Sequence, residues 1–268
     1  MRLILTDIDR TVLPFGDKVV PERTRAAMRE AAAAGHAVGP CTGRSASWAK
    51  ILFADDEACV STCIATNGLQ VYHAGEKVLE KTVPAELVAH MASVVEGIDH
   101  AGLVFFEESQ PMLCRGTRED LLVAFPSYGK ICEPSGLPGH DVVKVNAFVA
   151  GDLDATYELA RTLTAEVPEL DFDVPQAGFT NVMPSGWNKG AAALYLRDYL
   201  GVSEDDLFVF GDAENDLTML TAVKNSVAVA NATPAAAEAA RWHIGACADE
   251  AVADAILALA RGEFPFER

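Results

Sequence analysis

The chain has 268 residues, half of them apolar and 22% charged, and its formal net charge is -18. That length can bury a sizeable core and holds two domains, or one domain with an insertion. So acidic a composition argues against nucleic-acid or anionic-membrane partners, since both need basic surface to release counterions or meet headgroups.

In chain order, RLILT reads as a strand, PERTRAAMREAAAAG as a helix closed by Gly35, HAVGP as a strand, Ser45 to Phe53 as a helix and TCIAT as a strand. Such alternation predicts a parallel sheet with crossover helices. From about Lys81 the grammar changes to two successive runs of helix, strand, strand: PAELVAHMASVVEG with GLVFFEE and PMLCR, then LDATYELARTLTAE with DFDVP and FTNVMP. Between them lie the short helix REDLLVAF and the strand DVVKVNAFVA. The α/β alternation then resumes with NKGAAALYLRDYLG, DLFVFGD, ENDLTMLTAV, SVAVAN, ATPAAAEAARW and EAVADAILALARG. The expected fold is therefore α/β: a doubly wound, Rossmann-like parallel sheet at 1–80 and 186–268, with an α+β cap, mostly antiparallel, inserted at 81–185.

Six cysteines, at 41, 59, 63, 114, 132 and 247, form no CxxC pair and have no His at zinc spacing, so they read as small buried residues. Six scattered histidines give no imidazole metal site, and Trp48, Trp187 and Trp242 read as core packing. No window approaches the roughly 20 apolar residues of a membrane span, and the chain does not open on a basic stretch followed by an apolar one; cytoplasmic residence is the expectation.

Chemistry concentrates at four places. Leu3, Ile4 and Leu5 run into Asp7 and Asp9, closing on Thr11, which reads as a buried strand ending at a sheet edge with both carboxylates on one side. Two such charges are costly together unless a cation sits between them. After HAVGP comes Cys41-Thr42-Gly43-Arg44-Ser45, whose Thr42 hydroxyl and following amides can donate to an oxyanion. Gly186-Trp187-Asn188-Lys189-Gly190 puts Lys189 in the first turn of a helix, and Asp212, Asn215 and Asp216 crowd acceptors after DLFVFG. Each alone is ordinary: a solvated turn, an N-cap, a surface lysine, an Asx-rich cap. Their shared placement at the carboxyl ends of strands or the start of a helix brings them to one edge of a parallel sheet, where ligands of such sheets bind.

The set DIDRT, CTGRS, Lys189 and GDAENDLTML resembles the four motifs of the haloacid dehalogenase (HAD) superfamily, and IATNGLQVY, VMPSGWNKGAAALYL and VAVANATPAAAEAA are similar to its Cof-type phosphatases. The resemblance covers the two core segments by motif and the cap by position and element order. It implies a Mg²⁺-dependent phosphomonoesterase of a small phosphorylated metabolite, a sugar phosphate or a phosphorylated cofactor, with a cap that covers the site. Asp7 would be the nucleophile that forms an aspartyl-phosphate and Asp9 the general acid and base. Asp7, the Asp9 carbonyl, Asp212 and Asp216 would serve the metal. Thr42, Gly43, Arg44, Asn67, Lys189 and Asn215 would contact substrate, with Thr42 and Lys189 on the transferring phosphoryl group. A phosphomutase of the same superfamily and a phospho-receiver module remain open beside it, as do monomer and homodimer.

Two departures stand out. Arg10 occupies a position where the first motif commonly has Gly; its side chain is expected to turn to solvent, with crowding of the site or a substrate contact as the alternatives. Asn181-Val182 replaces the common acidic residue and Ile before the third motif, which bears on substrate preference. Arg44 is balanced between a substrate anion and a plain surface helix.

Overall fold

A computed structural model describes residues 1–266, which form two compact units: 1–80 with 188–266, and 81–187. The first part of the chain forms β1 (Leu3–Thr6), α1 (Glu22–Ala33), β2 (Ala37–Pro40), α2 (Ala46–Leu52), α3 (Glu57–Val60), β3 (Cys63–Ala65), β4 (Gln70–His73) and β5 (Glu76–Glu80). Next come α4 (Ala85–Val95), β6 (Ala101–Glu107), β7 (Gln110–Arg115), α5 (Arg118–Ala124), α6 (Pro126–Ile131), β8 (Glu133–Pro134), β9 (Val145–Val149), α7 (Leu153–Glu166), β10 (Leu170–Gln176) and β11 (Phe179–Pro184). The last part forms α8 (Lys189–Tyr199), β12 (Leu207–Gly211), α9 (Leu217–Ala222), β13 (Asn225–Ala228), α10 (Pro234–Ala239), β14 (Trp242–His243) and α11 (Ala251–Ala260).

The first unit is built on a wholly parallel sheet of order β14-β13-β12-β1-β2. β1, β2, β12 and β13 are buried along their whole length, as strands covered on both faces must be, which is why β1 and β12 read as apolar runs without alternation, while β13 buries Asn225 and Ser226 as well. Ile4, Phe208, Phe210, Val227 and Val38 share a core with Met28 and Ala31 of α1 and Ile256 and Leu259 of α11. Because β1 lies between β2 and β12, the residues that follow these three strands emerge side by side at one edge.

A bridge from Cys41 to Ile64 leads on to a second sheet of order β3-β4-β5, whose β4–β5 hairpin the apolar pattern did not predict. That hairpin turns at Ala74 and Gly75, with φ of +52° and +79°, a pair of left-handed residues matching the twist of two-residue hairpins. Alternation was weak there because β5 is largely exposed and carries Glu76, Lys77 and Glu80.

The second unit holds a six-stranded sheet of order β10-β11-β9-β6-β7-β8, antiparallel except for β7 with β8. One core gathers Val88, Met91 and Val95 of α4, Leu159 and Leu163 of α7, and Leu103, Phe105, Val145 and Ala147 of the sheet. The other gathers Val104, Phe106 and Phe148 with Leu121 and Ala124 of α5. Asn181 sits opposite Asn146 in the β9–β11 register, accepts from its Nδ2 at 3.1 Å and donates to Asp173 Oδ2 at 3.4 Å. At the ends of this unit, the Lys81 ammonium lies 4.4 Å from the centre of the Trp187 ring, a cation–π contact across the two points of entry and exit.

All six cysteines are buried and unpaired. Trp242 is buried as expected, but Trp48 is 46% exposed on α2, so its apolar ring did not imply a core position. Among the described residues, no helix is long and apolar enough to cross a membrane.

Close approach of chains decides some positions absolutely. A Cβ on Gly39 of β2 would lie 1.7 Å from the Thr62 carbonyl oxygen, whereas one on Gly139 would meet nothing within 4 Å. Gly39→Ala should therefore cost about 3 kcal/mol in urea denaturation, and Gly139→Ala should leave the midpoint unchanged.

Candidate active site

The chain leaves β1 at Thr6, and Asp7 still belongs to the sheet edge: its N–H donates to the Phe210 carbonyl at 2.8 Å and its side chain is buried. A tight turn follows in which the N–H groups of Thr11, Val12 and Leu13 all point at the Ile8 carbonyl. That turn ends strand alternation, so the two carboxylates part. Asp7 stays inside, while Asp9 is half exposed and held by Arg44, whose Nε and Nη2 each donate to one of its oxygens at 2.7 Å. Arg44 is therefore neither a free surface group nor an independent anion site; it fixes the orientation of Asp9.

Lys189 is the first residue of α8, whose N-cap Asn188 accepts from the Ala191 N–H. Its side chain is 1% exposed and its ammonium donates to Asp7 Oδ1 at 2.6 Å and Asp216 Oδ1 at 2.7 Å. A lysine that sequence alone would put on the surface is thus a fully buried cation between two carboxylates. They hold its pKa above the ordinary lysine value although burial opposes it.

Asp212 and Asp216 follow β12. The Asp216 Oδ2 accepts from the backbone N–H of Asp212 at 2.9 Å and of Ala213 at 3.3 Å, which folds the acidic turn back on itself. This is why Gly211 must lack a side chain: a Cβ there would lie 2.7 Å from Asp216 Oδ2. Thr11, the residue that closes the opening motif, donates to Asp212 Oδ1 at 3.2 Å, while Asp212 Oδ2 is buried with no hydrogen-bond partner. Asn215 is half-buried in the same turn.

Carboxylate oxygens of Asp7, Asp212 and Asp216 lie within 4.8 Å of one another. Three buried carboxylates, one oxygen of them orphaned, fit a hard divalent cation with oxygen ligands such as Mg²⁺. The Asp9 carboxylate is outside that group, because Arg44 takes both its oxygens; only its backbone carbonyl is left for the metal role expected of it.

Two loops complete the edge. Thr42 is buried, donates its N–H to the Ile64 carbonyl, and its Oγ1 accepts from the Arg44 N–H at 3.2 Å. The loop after β3 answers it: Thr66 N–H donates to the Arg44 carbonyl and Asn67 N–H to the Thr42 carbonyl, both at 2.9 Å. Thr66 and Asn67 have φ of +52° and +55°, a costly conformation for a β-branched residue, held here by those bonds. Gly43 faces the Asn67 side chain so closely that a Cβ would lie 2.9 Å from its Oδ1. Cys41 is no rival nucleophile, since burial pushes its thiol above the ordinary range.

Arg10 meets the expectation in part: its side chain is 52% exposed, yet it has partners. Its Nε lies 3.6 Å from Asp212 Oδ2 and its Nη2 donates to the Asn231 carbonyl at 3.3 Å, so the side chain is paired and not simply solvated. An arginine beside an orphaned, buried carboxylate oxygen is drawn inward by Coulomb attraction that water does not fully screen. Neither this contact nor that of Thr11 was visible in the sequence, since Asp212 lies some two hundred residues away.

Removing Lys189 leaves Asp7 and Asp216 without their buried cation. Lys189→Met should cost about 3–5 kcal/mol in urea denaturation at pH 7, and adding Asp7→Asn should restore part of that loss. Burial pushes Asp7 up to about 8 against the opposing charge of Lys189. Burial and the Asp216 charge push Asp212 up to about 6 against Arg10. Acids with raised pKa bind more protons folded than unfolded, so in EDTA the thermal midpoint should fall as pH rises from about 4 towards 8. In Asp212→Asn the fall between about 4 and 6 should become shallower, leaving the share that Asp7 carries on towards 8.

The sequence and the fold have counterparts among known proteins. The family model of haloacid dehalogenase-like hydrolases matches residues 4–256. YkrA of Bacillus subtilis (strain 168), a phosphatase by assignment, is 25% identical over 240 residues, covering 87% of this chain and 88% of its own. The HMP-PP phosphatase of Klebsiella pneumoniae (strain 342) is 34% identical over 121 residues, 44% of each chain. Among solved structures, the HAD subclass IIB sugar phosphatase BT4131 superposes with a TM-score of 0.79 at 20% identity, over 96% of this chain and 98% of that one. BT1666 from Bacteroides thetaiotaomicron does so with a TM-score of 0.82 at 19% identity, over 96% and 94%. With the motif residues gathered at one sheet edge and the family match spanning nearly the whole chain, this protein belongs to the haloacid dehalogenase-like hydrolases and is an enzyme of that family.

Proposed function

We propose that the chain is a Mg²⁺-dependent phosphomonoesterase that hydrolyses a small phosphorylated metabolite through an aspartyl-phosphate on Asp7. The observation that carries this reading is Asp7 itself: a buried carboxylate at the carboxyl end of the central strand, bonded to a buried ammonium and grouped with two further carboxylates. Phosphate esters resist anionic nucleophiles, so such a nucleophile needs fixed positive charge around it. Bound Mg²⁺, held by Asp7, Asp212, the Asp9 carbonyl and the supporting Asp216, would offset the repulsion between the carboxylate and the phosphate.

Lys189 holds Asp7 Oδ1, which leaves Oδ2 as the attacking oxygen. As the Oδ2–phosphorus bond forms, the ester oxygen leaves and takes a proton from Asp9, which enters this step as the protonated acid with one of its two oxygens released by Arg44. Asp9 then takes a proton from water, which attacks the same phosphorus; the acyl-phosphate bond breaks, releasing inorganic phosphate and restoring Asp7. Thr42 Oγ1 and the third N–H of Lys189, with the amides of the loop at Gly43, would donate to the phosphoryl oxygens. Asn67 and Asn215 flank the same edge. A relative named for HMP-PP supports a small phosphorylated substrate, and the Asn181 and Asn146 pair gives the inserted unit neutral amides where the common pattern has an acid.

Phosphate release from p-nitrophenyl phosphate and a panel of phosphorylated metabolites tests this. Release should require Mg²⁺, stop in EDTA and fall about a thousandfold or more in Asp7→Asn, with a fall of about a hundredfold or more in Asp9→Asn. Isomer formation without free phosphate would replace the reading with a mutase, and a lasting phosphoprotein without turnover would replace it with a signalling module.

A further inference from the structure

Arg10 carries two costs that a glycine would not. Its φ is +62°, in the left-handed region, and its guanidinium is held at the mouth of a carboxylate cluster that suits a metal. Both are sustained by reciprocal bonds with Asn231: the Arg10 Nη2 donates to the Asn231 carbonyl at 3.3 Å, and the Asn231 Nδ2 donates to the Arg10 carbonyl at 2.8 Å. Asn231 is itself fixed, its Oδ1 accepting from the Cys247 N–H at 2.8 Å. Opposite this clamp, Asp212 Oδ2 is buried and accepts no hydrogen bond, while Arg10 Nε stands 3.6 Å away, close enough for charge compensation and too far for a hydrogen bond.

We infer that Arg10 is the resident counter-cation of Asp212, and that a divalent cation entering the cluster must work against its charge. Arg10 thereby sets the Mg²⁺ concentration at which the site loads. Without metal, the guanidinium offsets part of the repulsion among Asp7, Asp212 and Asp216 that Lys189 leaves uncompensated. With metal, the same positive charge faces Mg²⁺ across Asp212, so it raises the concentration needed. The inference rests on the metal-site reading above.

Isothermal titration of the full-length protein with MgCl₂ alone, without substrate, reads the effect directly. Arg10→Gln, which keeps the stem and removes the charge, should bind Mg²⁺ about three- to tenfold more tightly than wild type. Arg10→Lys should stay within about twofold of wild type. In EDTA, Arg10→Gln should melt below Arg10→Lys, and Mg²⁺ should close that gap. Arg10→Gly separates charge from backbone: tightening in both Gln and Gly variants supports the inference, whereas tightening in Gly alone assigns the effect to relief of φ strain and overturns it. Wild-type or weaker Mg²⁺ affinity in Arg10→Gln also overturns it while leaving the metal site standing. Absence of Mg²⁺ binding in wild type and all variants overturns the metal-site reading and this inference with it.

Discussion

The Lys189 ammonium is the constraint on which the rest of the site depends. Three buried carboxylates at one sheet edge repel one another in a medium that screens poorly, and no arrangement of strands alone makes that tolerable. One buried cation, bonded to Asp7 and Asp216, makes the cluster foldable. It also leaves the cluster short of positive charge, since Lys189 supplies a single charge against three. That shortfall is the electrostatic ground on which the proposed divalent cation would be held. Burial first, and then the like charges of the cluster, raise the pKa values of Asp7 and Asp212.

Around this charge balance the loops are held by backbone bonds more than by side chains. The turn after β1 converges on the Ile8 carbonyl, the Thr42 loop is bonded to β3, and the Thr66–Asn67 turn is bonded back to the Thr42 loop. Left-handed residues at Arg10, Thr66 and Asn67 show where the chain accepts strain so that neighbouring loops can meet. Small residues serve the same end: Gly43 against Asn67 and Gly211 against Asp216 permit approaches that any side chain would block. Arg44 extends the network to Asp9 with a bidentate pair, so the residue proposed for proton transfer is oriented before any substrate arrives.

Much of this was legible before the structure. The alternation of strand and helix predicted the parallel sheet, the apolar run at β1 predicted a buried strand, and the switch to helix-strand-strand order predicted an antiparallel insertion. Less legible was the β4–β5 hairpin, because an exposed strand rich in Glu and Lys carries little apolar signal. Trp48 shows the converse: an aromatic residue on a helix does not have to be buried.

Residue types and order along the chain determined which groups could take part: carboxylates after two strands, a hydroxyl after a third, a lysine at a helix start, all sent to one edge by the parallel topology. Only the tertiary structure decided how they pair. Asp7 and Asp9 are two residues apart yet have different partners, because a turn after Thr6 ends the alternation that would have kept them together. Lys189 could have been any surface lysine until α8 placed its ammonium between Asp7 and Asp216, and Arg10 any solvated arginine until the turn after β12 brought an orphaned oxygen within 3.6 Å. Charge pairing depends on distances across two hundred residues of chain, and such distances exist only once the sheet has formed.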